Sequence, residues 1–164
     1  MTTPAGDLRV RRPQQHEALM IELRDEAAFA TFRDILLFAA AVGAHVKRRV
    51  AFTSSGEPIR YETLKEPMFS ETLINMIAAS EPAHDPETGQ DTHDPEIMDV
   101  TRTSERVRIF EEYANGGLEY IQEQVNTRHQ PANLVVIGLV TEALARSGAA
   151  EAVSVEELLS GVSW

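Results

Sequence analysis

Val107-Arg108-Ile109-Phe110-Glu111-Glu112-Tyr113-Ala114-Asn115-Gly116-Gly117-Leu118-Glu119-Tyr120-Ile121-Gln122-Glu123-Gln124-Val125 is the stretch on which the fold turns. Val107, Phe110, Ala114, Gly117, Leu118, Ile121 and Val125 follow one another by three, four, three, one, three and four residues. That spacing predicts one buried face of a long helix beginning near Ser104. Glu111, Glu112, Glu119 and Glu123 fall largely on the other side. Each helical glycine costs ~1 kcal/mol relative to alanine. Gly116-Gly117 therefore predicts either a kink or the close approach of another backbone. One kinked helix is the expectation; the alternative is a turn at Asn115-Gly116 that divides the segment in two. Glu112 and Glu119 share a helix face, seven residues apart. A solvated or protein-docking acidic face is expected there, because acid–base catalysis needs two carboxyls in unlike environments facing a cleft.

Further helices are expected on both sides. Pro13 suits the first turn of a helix running to about Arg24, with Leu19, Met20 and Leu23 inward. A second helix, about Glu26 to Val42, carries Phe29, Phe32, Ile35, Leu36, Ala39 and Ala40 at spacings of three and four, with Gly43 as its C′ cap. Phe32 and Phe38 read as core. Val46 to Phe52 and Ile59 to Leu64 are β-compatible and flank Ser54-Ser55-Gly56, which predicts a small hairpin. Ser70 is expected to cap a helix ending near Ser80, with Leu73, Ile74 and Ile77 buried. Leu134 to Ala145 is apolar on nearly every side and reads as a buried central helix capped by Asn133 and ended by Ser147-Gly148. Ser154-Val155-Glu156-Glu157 reads as a capping box for a last helix with Leu158 and Leu159. Trp164 either docks on the body or marks an exposed contact. The expected architecture is mainly α, five to six helices around one core, with a small β-hairpin near 46–64. Residues 1–12 read as a flexible basic arm and 13–164 as a single helical domain with an acidic loop at 81–100.

Composition removes several function classes. At 164 residues the chain is long enough for one self-sufficient core. Cysteine is absent, so there is no disulfide, thiolate metal site or cysteine nucleophile. The longest apolar runs, Ile35 to Gly43 and Leu134 to Val140, fall far short of the ~20 residues a bilayer requires. No apolar leader follows the first residues, and a cytoplasmic protein without membrane contact is expected. No P-loop, dinucleotide fingerprint, HExxH or GxSxG motif occurs. His84-Asp85-Pro86 and His93-Asp94-Pro95 echo one another, but they lie in a segment without a scaffold to orient ligands. No metal, no cofactor and no catalytic residue is expected.

Charge is unevenly spread. Residues 1–65 carry ten Lys/Arg and eight Asp/Glu; residues 66–164 carry five and eighteen. Arg9, Arg11, Arg12 and Lys47, Arg48, Arg49 form two basic clusters, with Arg60 across the expected turn. A solvated surface is the plain reading, and an anion-binding patch the sharper one.

The string Ile109 to Glu119 resembles the family called Dnd system-associated protein 4. So do Arg11-Arg12-Pro13 with His16-Glu17, Phe38-Ala39-Ala40 ending in Gly43, and Leu73-Ile74-Asn75-Met76-Ile77-Ala78. The resemblance covers about residues 9–126. The loop over 81–100 and the tail from Pro131 look longer than the family pattern. The resemblance implies a place in the bacterial or archaeal system that replaces a non-bridging phosphate oxygen of DNA with sulfur and defends against foreign DNA. It supplies no catalytic residues. Two functions are then expected to compete. One is an accessory, non-catalytic protein docking onto modification or restriction proteins, with Glu111, Glu112, Tyr113, Asn115, Gly116, Gly117 and Glu119 used for partner binding or packing and DNA met in a complex. The other is a DNA-binding module using Arg9, Arg11, Arg12, Lys47, Arg48, Arg49 and Arg60. A small nuclease is a third reading, supported only by the His/Asp loop.

Overall fold

The computed structural model describes residues 7–26 and 29–160, with side chains as far as residue 148. The expectations for residues 1–6, for the Ser154 capping box side chains and for Trp164 fall outside the described residues. The fold is mainly α, as the periodicities require. In chain order it consists of β1 (Arg9–Val10), α1 (Glu17–Asp25), α2 (Phe32–His45), β2 (Ile59–Arg60), α3 (Tyr61–Leu64), α4 (Met68–Ser80), β3 (Pro82–His84), β4 (Asp91–His93), α5 (Thr103–Arg128) and α6 (Ala132–Ser160). Short 3-10 turns occupy Gln14–His16, Pro95–Met98 and Val100–Arg102.

Helix α5 runs unbroken through Gly116-Gly117, so the dividing turn does not occur. The glycines permit close approach. A Cβ on Gly117 would lie 1.8 Å from the Ala39 carbonyl oxygen of α2. One on Gly43 would lie 2.0 Å from the Tyr113 carbonyl, and one on Gly116 2.0 Å from that of Arg48. Around this crossing Leu36, Phe110, Leu118 and Ile121 are fully buried, with Ile74 from α4 and Met20 and Leu23 from α1. Gly43 is thus an internal residue of α2, not its cap. The helix ends two residues later, and the left-handed conformation falls on Lys47 (φ 55). The Lys47 N–H donates to Ala44 O (3.2 Å) and the Arg48 N–H to Gly43 O (2.8 Å), a Schellman ending without glycine. Helix α2 also starts later than periodicity implied. Thr31 is its cap, accepting from the Asp34 N–H.

The expected 46–64 hairpin does not form. Strand β2 pairs antiparallel with β1, Arg9 opposite Arg60 and Val10 opposite Ile59. Residues 9 and 10, read above as part of a free arm, therefore belong to the body. Val46 to Phe52 forms no strand, because α5 takes its polar groups. The Val50 N–H donates to Glu112 O (3.1 Å), and Asn115 Nδ2 donates to Val50 O (3.0 Å). A hairpin does occur within the acidic segment, where β3 pairs with β4. The one-turn helix α3 had no periodic signal.

Helix α6 is not the buried centre. Leu134, Ile137, Val140 and Leu144 are exposed, with Ile137 at 54% and Leu144 at 68%. Only Ala132, Val135 and Val136 are buried among its described side chains. Its backbone continues through Ser147-Gly148. The centre is already filled by the α2–α5 crossing, and α6 lies beside α1 and α5. Glu22 of α1 accepts the Ala132 N–H (3.1 Å) at its first turn. Among the described residues no helix is long and apolar enough to cross a membrane.

Gly117→Ala should lower unfolding stability by about 3 kcal/mol or more, because rigid backbone must move to admit the methyl group. Gly148→Ala meets nothing within 4 Å and should be neutral or stabilising by up to about 1 kcal/mol. Denaturant midpoints measure both. Equal midpoints for Gly117→Ala and wild type would refute the close-approach role.

Candidate functional site

The Glu-rich string on α5 is turned largely into the protein. Glu111 is only 4% exposed. Its carboxylate accepts the Arg11 backbone N–H (2.7 Å), Arg11 Nε (2.9 Å) and Arg11 Nη2 (2.7 Å). Burial pushes the Glu111 carboxyl upward, while the bonds from Arg11 oppose that shift. The Arg11 guanidinium also stands 4.6 Å from the centre of the Phe52 ring. Glu112 accepts Arg49 Nε at 2.5 Å, and Arg49 Nη1 reaches Glu81 at 2.6 Å. Glu81 also accepts the Tyr113 hydroxyl. Burial first, and then Glu81, push that hydroxyl up to about 12. Asn115 is fully buried; its amide donates to Val50 O, and its oxygen accepts Gln15 Nε2 (3.0 Å). Glu119 differs. It is exposed and lies 4.0 Å from Arg48.

These bonds use most of the cations read as a DNA patch. Arg9 lies 3.7 Å from Asp7, and Arg48 pairs with Glu123 at 2.8 Å. Arg12 is buried, 3.3 Å from Glu17 and 4.3 Å from the centre of the Phe32 ring, with Nε donating to Glu57 O (2.7 Å). With Arg11 and Arg49, five of the seven are paired. Lys47 and Arg60 are exposed and form no ion pair among the described residues.

The histidine echo does not assemble a ligand set. His84 lies opposite Asp91 (Nδ1 to Oδ1 3.3 Å), whereas His93 lies opposite Pro82. Among the described residues no three His, Asp or Glu are placed to hold a metal ion. Two organising residues escaped the sequence reading. Glu81 joins Arg49 to Tyr113, and Arg106 is buried, donating to the carbonyls of Ile97 (2.7 Å) and Asp99 (2.8 Å). Neither carried a local signal, since each position reads as an ordinary charged helix-end or helix-face residue. A groove of about 450 Å³ opens between α2 and α6, lined by Phe38, Val42, Leu139, Val140 and Leu144, with Tyr120 of α5 alongside. It adjoins the exposed stripe of α6.

Removing one member of the Arg11–Glu111 pair should be worse than removing both. Arg11→Ala leaves a buried carboxylate with its strongest partner gone and should cost about 2–4 kcal/mol. Arg11→Met with Glu111→Leu should recover much of that loss. A double-mutant cycle with no coupling would deny the pair a structural role. His16 supplies a pH test. Burial lowers its pKa, against the opposing pull of Glu119. The unfolded chain then takes up the proton first, so stability should fall as pH drops below about 6.5 and level off below the folded pKa. His16→Gln should flatten the melting temperature across that window; an unchanged slope would place the titration elsewhere.

The family model described as DNA sulphur modification system-associated protein 4 matches residues 9–157. The match continues beyond Pro131, into the tail expected to be longer than the family pattern. No curated protein and no solved structure matches the chain. With the matched span covering nearly all of α1 to α6, the chain belongs to the DNA sulphur modification system-associated protein 4 family.

Proposed function

We propose that this chain is an accessory, non-catalytic member of a DNA phosphorothioate modification or restriction system, acting in the cytoplasm by docking onto the system's larger proteins. The observation that carries this reading is the uncovered apolar face of α6. Leu134, Ile137, Val140 and Leu144 point to solvent beside an open apolar groove. Apolar surface of this kind favours a protein contact over a nucleic-acid one. The ion pairs of Arg11, Arg12, Arg48 and Arg49 support it from the other side. A phosphate backbone would have to compete with carboxylates already in place. DNA is then met through a partner that supplies the positive charge.

Two measurements test the proposal. Titration of plain and phosphorothioate-bearing duplexes at ~50 mM salt, where screening still extends beyond 10 Å, should show no sub-micromolar binding by the isolated protein. Affinity capture from the host should recover modification or restriction proteins, and Ile137→Asp with Leu144→Asp should lose them. Tight duplex binding abolished by Lys47→Ala with Arg60→Ala would replace docking with DNA binding.

A further inference from the structure

A second uncovered surface lies on α4, and its chemistry is unlike that of α6. Met68 is 82% exposed, Phe69 67% and Met76 63%. Phe69 and Met76 are two helical turns apart and so share a face. Helix α4 also packs against the turn Pro95–Met98, where Met98 is exposed. A helix with no outside partner would gain solubility from polar residues at these positions; this one carries large apolar side chains instead.

The surroundings are strongly acidic. From Glu62 to Asp99 the chain has ten Asp/Glu and only Lys65 as a cation; Glu81 and Asp94 are paired with Arg49 and Arg102 from outside the segment, and the rest still outnumber the cations. Lys65 is already paired with Glu62 (2.9 Å). Glu66 and Glu96 are exposed and make no ion pair among the described residues. Glu66 adjoins the apolar patch through Pro67, and Glu96 lies on the turn that α4 packs against.

We propose that this α4 face is a docking site for a basic protein surface, one that offers an apolar pocket ringed by lysine and arginine. The inference rests on the docking reading above but concerns a different face. Phe69 is the rigid anchor, and the flexible thioethers of Met68 and Met76 adapt to the pocket around it. The exposed carboxylates steer the encounter and choose among partners. The same charge argues against the other occupants. A second copy would bring two acidic segments together. Nucleic acid and anionic lipid headgroups would be repelled in the same way. Proteins that handle DNA carry positive surfaces for its phosphates, and this family's system necessarily contains such proteins.

The experiment uses the full-length protein and the purified DNA-handling proteins of the sulphur modification system, offered one at a time in a binding titration. Wild type should bind one of them, with affinity falling as salt rises. Phe69→Ala with Met76→Ala, and separately Glu66→Lys with Glu96→Lys, should each weaken binding at least roughly tenfold. All four residues are exposed, so melting temperatures near wild type will confirm that the fold is kept. The α6 variant Ile137→Asp with Leu144→Asp is the comparison. Loss with the α6 variant while both α4 variants bind normally would overturn this inference and leave the docking reading standing. Binding to none of the system's proteins would remove both. A concentration-dependent dimer dissolved by Phe69→Ala with Met76→Ala would assign the face to a second copy and overturn the inference.

Discussion

The structure depends on the contact between the backbones of α2 and α5. At Gly43 and Gly117 the two helices meet with no space for a side-chain carbon on either, and Gly116 admits the backbone of Arg48 in the same way. Close crossing of this kind shortens the distance over which every neighbouring side chain must pack, and Leu36, Ala39, Ala114 and Leu118 are fully buried in it. It also explains an otherwise costly composition. Two adjacent glycines inside a 26-residue helix weaken the helix on its own, and tertiary packing outweighs that loss. The end of α2 carries a further consequence. With Gly43 committed to the crossing, the left-handed residue at the helix end is Lys47, which lacks glycine's freedom at that conformation.

Polar interactions extend the crossing outward. Residues 48–52 lie on α5 because Glu112 and Asn115 satisfy the Val50 peptide groups. The N-terminal segment is held by the Glu111–Arg11 pair and by strand pairing to β2. Glu81 ties the end of α4 to Arg49 and Tyr113. One stretch of α5 thereby organises three separate segments. This accounts for the density of Glu, Tyr and Asn in a string that lies mostly below the surface. The protein's carboxyls have unlike environments, and their titration directions follow: Glu111 is pushed upward by burial, whereas Asp94 and Asp99, on the turns before α5, are held down by bonds from Arg102, Thr101 and neighbouring N–H groups.

The acids accordingly divide by use. Those on α5 and at the end of α4 neutralise arginines and fasten segments. Of the rest from Glu62 to Asp99, Glu66, Glu87 and Glu96 are exposed and form no ion pair among the described residues. Net charge alone does not separate these uses, because a buried carboxylate in an ion pair and a solvated one count equally. The family assignment supplies the setting of a DNA modification system, and the exposed apolar faces of α4 and α6 differ in their charged surroundings.

The sequence by itself determined the helical class and the long seam from Val107 to Val125, and it marked Gly116-Gly117 as a kink or a close approach, a choice that the contacts of the two glycines decided. Those features are local: a spacing of three and four, and a missing side chain where one would otherwise be expected. Its limits appear at α6. A segment apolar on every side says that burial is available, not which face receives it, and here the core was already occupied. The 46–52 segment has strand-forming residues, yet its hydrogen-bond partners come from a helix more than 60 positions away. Arg11 and Glu111 are 100 residues apart, and nothing near either marks the other. Only the tertiary structure could decide that the basic clusters are largely internal partners and not a free surface. Charge pairing depends on which distant segments the chain brings within ~4 Å, and local propensity carries no information about that distance.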